Sequence, residues 1–173
     1  MKIVDTLSKK EIIELLGKCW MTHEAMWFYQ CFKKFGIEKV NEINQAAMHS
    51  LVPIEMERLK KAYGFDKERF ETFDELKQFL LATAELLVPD FMNVTFSFPR
   101  ENVIHWEFNE KQCFGYNGVM MIGAIDKYQC GPLWRIKCWF DYLNIPSEFD
   151  PPLGKCMMPE KGKCSGDIQL GFE

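Results

Sequence analysis

The chain has 173 residues, enough for one domain with a sizeable core and too few for a clear second one. Hydrophobic residues make up 47% of it and the formal net charge is −4, which excludes intrinsic disorder and a strongly basic nucleic-acid-binding protein. No apolar run approaches the roughly 20 residues of a membrane span, and the first residues lack the apolar segment of a secretory signal. We therefore expect a single domain over 1–173, cytoplasmic, with neither nucleic acid nor membrane as its partner.

The first half of the chain has the periodicity of helices. Ser8 and Glu11 form a capping box, and apolar residues then recur every three or four positions up to Gly36, which predicts a helix over about 8–35. A second helix is predicted over about 38–63, ending at Gly64. The short connection favours an antiparallel helical hairpin, and Pro53 predicts a kink in its second helix.

A third helix is predicted over about 72–87, after which the period changes to two. Residues 92–98 and 103–108 alternate between apolar and polar side chains, which predicts an antiparallel β-hairpin. Residues 1–88 are thus expected to be mostly helical.

Residues 89–173 are expected to hold this hairpin, further helices and a C-terminal hairpin. Helices are predicted over about 111–124 and from 131 onward, and a loop over 146–152. A final hairpin is predicted with its turn at Lys161-Gly162. The sequence therefore predicts an α+β fold, in which an N-terminal helical hairpin and further helices pack on one face of a small antiparallel sheet.

A polar residue in the apolar stripe of the first helix suggests a ligand pocket. His23 falls between Trp20 and Trp27, and Asn44 on the second helix is a candidate hydrogen-bond partner for it. A core histidine that packs and bonds internally is the alternative interpretation. The candidate ligand-binding residues are Trp20, His23, Trp27, Asn44, Phe96 and Trp106.

The seven cysteines are an odd number, which argues against a complete disulfide framework and for reduced thiols. Cys113, Cys130, Cys156 and Cys164 lie near predicted turns or element ends and are candidate zinc ligands. The usual C-x-x-C pair is missing, so zinc is possible as a cofactor without being favoured, and packing is the favoured interpretation of any single cysteine.

Cys130 is also a candidate nucleophile, because it precedes Gly131-Pro132 at a predicted helix N-terminus, where a thiolate is stabilised. His23 is then the candidate base. The chain has no G-x-S-x-G, Walker, G-x-G-x-x-G or H-E-x-x-H motif. Whether the protein is an enzyme is left open.

Four short segments resemble an uncharacterised bacterial and archaeal family of cytosolic proteins. They are residues 23–28 (HEAMWF), 35–40 (FGIEKV), 128–132 (YQCGP) and 162–166 (GKCSG). That group is similar in layout to the L-2-amino-thiazoline-4-carboxylate hydrolase family, and the stretch from Cys156 through Cys164 resembles the close of the 4-vinyl reductase domain. The resemblance implies a helix-plus-sheet domain with an internal ligand cavity, and carried over by position it indicates Cys130, Cys156 and Cys164.

Three functions follow as alternatives. The first is the binding of a small apolar or planar molecule in an internal cavity. The second is cysteine-dependent hydrolysis of an amide- or amidine-like bond, and the third is a zinc-stabilised structural or interaction protein. Neither the ligand nor the oligomeric state can be read from the sequence.

Overall fold

The computed structural model of the protein describes residues 2–172. Its helices are α1 (Lys9–Tyr63), α2 (Phe73–Leu87), α3 (Phe114–Met121), α4 (Gly131–Tyr142) and α5 (Met158–Lys161). Its strands are β1 (Val94–Arg100), β2 (Val103–Phe108), β3 (Ser147–Asp150) and β4 (Cys164–Leu170). Single 3₁₀ turns span Ile3–Asp5, Asp90–Met92 and Ile125–Lys127. The α+β class predicted from the sequence is confirmed.

Helix α1 consists of two arms, which we call the first arm (residues 9–35) and the second arm (residues 37–63). Between them Gly36 has φ 76° and ψ 169°, the one residue of α1 with non-helical dihedral angles. The capping box of Ser8 and Glu11 starts the first arm, and Gly64, at φ 79° and ψ 28°, ends the second. The predicted boundaries of both helices are therefore confirmed.

The two arms fold back on each other. Arg135 of α4 bonds Glu55 in the second arm, and its guanidinium carbon lies 4.9 Å from the ring centroid of Trp20 in the first arm. A straight helix would separate residues 20 and 55 by about 50 Å. Near the turn, Tyr128 meets Phe28 at a ring-centroid distance of 5.9 Å. These contacts fit the predicted antiparallel hairpin.

The helical dihedral angles of α1 continue through Pro53, where a kink was predicted, and are interrupted only at Gly36. Pro53 lies on the exposed side of the second arm. A carbonyl left without its helical donor there can bond to water, so the missing N–H costs less than in a buried helix.

The sheet is antiparallel, with strand order β1-β2-β4-β3. The predicted β1–β2 hairpin is confirmed, with Phe96 opposite Trp106. The predicted C-terminal hairpin is wrong in its pairing, since β4 lies between β2 and β3. Strand β3 falls in the predicted loop at 146–152. It has four residues, of which Phe149 alone is buried, so it lacks the alternation that identifies a strand in sequence.

The main core lies between the sheet, α2, α4 and the second arm. Side chains of β1 and β2 alternate between covered and exposed, so one face of the sheet carries the helices. Its most deeply buried large side chains include Met56, Leu76, Phe79, Trp106, Phe140 and Ile168. Among residues 2–172, no helix has the length and apolarity needed to cross a bilayer.

Candidate functional site

A cavity of about 1500 Å³ lies between the two arms, α2, the sheet, α3 and α4. We call it the large cavity. Most of its lining side chains are aliphatic or aromatic, including Phe28 of the first arm, Val40 of the second, Leu80 of α2 and Ile104 of β2. The volume exceeds the roughly 300–1,000 Å³ of ordinary ligand pockets. The cavity therefore has room for a sizeable apolar molecule.

Five of the six predicted ligand-binding residues line the large cavity. These are Trp20, His23, Trp27, Asn44 and Phe96. Trp106 does not line it, because its ring lies over Gly166 and beside Phe149, at a centroid distance of 5.9 Å, and is fully buried. Trp106 was therefore wrongly predicted to line the cavity, because β3 and β4 enclose its ring.

The first arm lines the large cavity without entering the core. None of its described side chains is buried, and Trp27 is 63% exposed. His23 is exposed as well. The inward histidine expected from the apolar stripe is thus not a core residue. Within residues 2–172, no hydrogen bond joins Asn44 to His23. The Asn44 side chain packs against Gly131 instead, and a Cβ added to Gly131 would lie only 2.8 Å from Asn44 Nδ2.

An ion pair at the cavity wall was not anticipated from the sequence. Arg135 donates from Nε to one oxygen of Glu55 at 3.1 Å and from Nη2 to the other oxygen. Trp139 donates from Nε1 to the same carboxylate at 2.8 Å. The side chains of Arg135 and Glu55 are only 15% and 9% exposed. Arg135 and Trp139 are four residues apart on one face of a helix, but this spacing does not show which acidic residue they bind.

Glu24 is a second acidic group at this wall. It lines the large cavity from the first arm, and desolvation raises its pKa above the ordinary 4.5, although Arg135 acts in the opposite direction. Arg135 is already held bidentately by Glu55, which itself raises the pKa of Glu24. This part of the cavity wall therefore combines the Glu24 carboxyl group with a guanidinium that Glu55, outside the lining, already binds.

The four cysteines named as candidate zinc ligands lie together. Cys113, Cys130, Cys156 and Cys164, which we call the cysteine cluster, all line a second cavity of about 20 Å³. Burial raises the pKa of each thiol, to about 11 for Cys113. Among residues 2–172, no group of three or more His, Cys, Asp or Glu side chains is placed so that it could hold a metal ion.

The structure does not bring Cys130 and His23 together. Cys130 lines the small cavity and His23 the large one, and no hydrogen bond joins them in the described part of the chain. Desolvation raises the pKa of Cys130 far above the ordinary 9.0, although the backbone N–H of Leu133 acts against this. A nucleophilic cysteine needs the opposite, a stabilised thiolate.

Comparison with known proteins gives one similarity. Residues 5–85 match a family of unknown function, DUF6125. The matched region covers both arms and most of α2, which form the helical walls of the large cavity. No curated protein and no solved structure matches the chain.

Proposed function

We propose that the protein binds a small, largely apolar or planar molecule in the large cavity. The observation that carries the proposal is the cavity itself, about 1500 Å³ in volume and lined mainly by apolar side chains. The space opens to solvent along the first arm, where Trp27 is 63% exposed. A contiguous apolar surface of this size that faces water is typical of a binding site, and an apolar occupant would cover it.

Aromatic faces and a few polar groups would select the ligand. Trp20, Phe28 and Trp139 offer ring surfaces for a planar molecule. Arg135, which is paired with Glu55, and Glu24 are charged residues of the wall that lie close enough to affect each other. The ligand would thus have a large apolar body and at most a small polar end.

Cysteine-dependent hydrolysis is the second alternative, with L-2-amino-thiazoline-4-carboxylate hydrolase as its model. It is disfavoured by the raised pKa of Cys130 and by the location of His23 at another cavity. A zinc-stabilised structural or interaction protein is the third alternative. It is disfavoured because, among residues 2–172, no group of three or more His, Cys, Asp or Glu side chains could hold a metal ion.

A matched pair of tryptophan variants tests the proposal. Ala84 and Ala82 are both half-buried on α2, but only Ala84 lines the large cavity. Titration with Nile red, a neutral planar dye, should show binding by the wild-type chain and by Ala82→Trp. The Ala84→Trp variant should bind at least about tenfold more weakly, because its indole occupies the cavity.

Two results would contradict the proposal. One is a wild-type chain that fails to bind the dye. The other is equal binding by both tryptophan variants, with circular dichroism showing that both are folded. Native mass spectrometry of freshly purified protein would then identify any organic molecule carried from the cell.

A further inference from the structure

The first arm has an exposed side that carries lysines and no carboxylate. Along residues 15–34 most of the exposed side chains recur every three or four positions, so they lie on one side of the helix. Glu14 and Glu24 lie outside this set and are half-buried. We call this side the outer face, and it consists of Leu15, Leu16, Cys19, Thr22, His23, Met26, Trp27, Gln30, Lys33 and Lys34.

Large apolar side chains of the outer face are in contact with water. Leu16 is 64% exposed, Met26 52% and Trp27 63%, and none of the described side chains of the first arm is buried. A cluster of exposed apolar groups marks an interaction site. His23, Met26 and Trp27 also line the large cavity, so the mouth of that cavity lies at the outer face. A partner bound there would cover both.

The charges of the outer face are all positive. Lys33 and Lys34 make no ion pair among residues 2–172. The whole chain has a net charge of −4, but residues 9–35 contain five lysines and three glutamates. The charge of the first arm is thus opposite in sign to that of the whole chain, which favours an anionic partner.

The same charges disfavour a second copy of the chain as this partner. In a parallel pair of outer faces, Lys33 and Lys34 meet their own counterparts. In an antiparallel pair they meet the start of the arm. There Lys9 has no ion pair in the described part of the chain, and the Glu11 carboxylate already accepts hydrogen bonds from Ser8. Like charges placed side by side oppose association.

We propose that the outer face binds the surface of an anionic lipid membrane. Tryptophan rings favour the layer between lipid tails and headgroups, and Trp27 is positioned to enter it. Leu16 and Met26 would enter the same layer, while Lys33 and Lys34 contact the lipid phosphates. Residues 15–34 would lie along the membrane over a helix length of about 29 Å.

Membrane attachment is separate from ligand binding and does not require the large cavity to hold a molecule. The sequence gave no reason to expect a membrane partner, because a span of the bilayer was the feature sought, and attachment through a helix face needs none. If the cavity does bind an apolar molecule, a membrane at its mouth would supply it, since such molecules partition from water into lipid.

Co-sedimentation of the full chain with lipid vesicles tests the inference. We expect binding to vesicles of phosphatidylcholine mixed with phosphatidylglycerol, and little binding to phosphatidylcholine alone. Added salt should weaken the binding, because it screens the lysines. Brominated lipid tails should quench the tryptophan fluorescence of the wild type more than that of Trp27→Phe. A wild-type chain that does not distinguish the two kinds of vesicle overturns the inference, and this measurement needs no variant to fold.

Lysine variants test the charge of the outer face. Lys33→Gln with Lys34→Gln should weaken binding to the anionic vesicles at least about tenfold, since two attractive charges are lost. The matched control is Lys111→Gln with Lys163→Gln, because both of these lysines are exposed and lie outside the first arm. The control should bind as the wild type does. Equal weakening of two variants that circular dichroism shows to be folded would contradict the role of the outer face.

Leucine variants test its apolar part. Leu15→Gln with Leu16→Gln should also weaken vesicle binding about tenfold, whereas Ile54→Gln with Leu86→Gln, at exposed positions outside the first arm, should not. Neither leucine lines the large cavity, so Nile red binding without vesicles should be unchanged, and loss of dye binding by the wild type would contradict the ligand proposal alone. Light scattering without lipid detects a second copy. A dimer that the leucine substitutions dissociate would overturn membrane binding by this face.

Discussion

Arg135 holds Glu55 bidentately across the interface between α4 and the second arm, with both side chains largely buried. The pair also connects to the first arm, because the guanidinium lies over the Trp20 ring. One ion pair thereby joins three elements that line the large cavity.

Breaking this pair should be strongly destabilising. Glu55→Gln leaves the Arg135 charge buried without its counter-charge, so we expect the free energy of unfolding to fall by about 3 kcal/mol. Urea unfolding monitored by circular dichroism measures the change. The control is Glu42→Gln, because Glu42 pairs with Lys39 on the exposed surface, where an ion pair contributes at most about 1 kcal/mol. Equal effects of the two substitutions would contradict the role given to Glu55.

Gly166 allows the close approach of two neighbours in the sheet. A Cβ at this position would lie 2.3 Å from the Asp150 carbonyl oxygen and 2.5 Å from the Trp106 ring. Gly166→Ala should therefore lower the free energy of unfolding by about 3 kcal/mol, because a backbone atom and a fully buried ring must both move. Gly118→Ala is the control, since a Cβ there meets nothing within 4 Å. That change should be neutral or stabilising by up to about 1 kcal/mol in helix α3. Thermal unfolding of both variants measures these changes, and equal stability of the two variants would contradict the close contacts described for Gly166.

The turn between the arms requires the backbone freedom of glycine. Gly36 has φ 76° and ψ 169°, a region essentially restricted to glycine. We expect Gly36→Ala to cost about 1–3 kcal/mol in unfolding free energy, even though a Cβ there meets no neighbour. Gly64→Asn is the comparison, because Gly64 is in the left-handed helical region that asparagine tolerates. If Gly36→Ala has no effect on denaturant unfolding, the turn geometry is incorrect.

Glu24 should make stability depend on pH. Desolvation raises the pKa of its carboxyl in the folded protein above the ordinary 4.5. As the pH rises, the unfolded chain therefore loses this proton first, and the folded wild type loses stability relative to Glu24→Gln. The difference should vanish below about pH 4.5 and be fully developed above the raised pKa. Unfolding midpoints from about pH 3 to about pH 8, a range that includes the ordinary glutamate pKa and values raised above it, measure the difference.

Glu11 gives the comparison of opposite sign. The backbone N–H of Ser8 lowers the pKa of its carboxyl, so the wild type should be more stable than Glu11→Gln near neutral pH. That advantage should disappear as the pH falls through the lowered pKa. If both glutamate variants change stability with pH in the same direction, the environment described for Glu24 is wrong.

The parts of the fold that follow local rules could be predicted from the sequence. Ser8, Gly36 and Gly64 mark the ends of the two arms through capping and backbone freedom, which are properties of a few neighbouring residues. The partner of β4 could not be predicted, because pairing with β3 depends on contacts distant in sequence and β3 contains one buried residue.

The same distinction applies to the candidate sites. The stripe containing Trp20 and Trp27 lies in the part of the first arm that lines the large cavity. It could not show that this face borders a space, because periodicity indicates which side is apolar and not what covers it. The Arg135–Glu55 pair is 80 residues apart in sequence, beyond the reach of any local pattern. The grouping of the four cysteines was expected only as a possibility, and it depends on how four separate elements pack.

The lack of buried side chains in the first arm has a consequence for its dynamics. Local opening is cheapest where few apolar contacts are lost, and the arm is attached mainly by partly exposed contacts such as those of Trp20 and Phe28. Its amide hydrogens should therefore exchange with solvent through a partial unfolding that leaves the sheet and the second arm intact. Native-state exchange across residues 9–35 should be faster than across residues 50–60, and an occupied cavity should slow it.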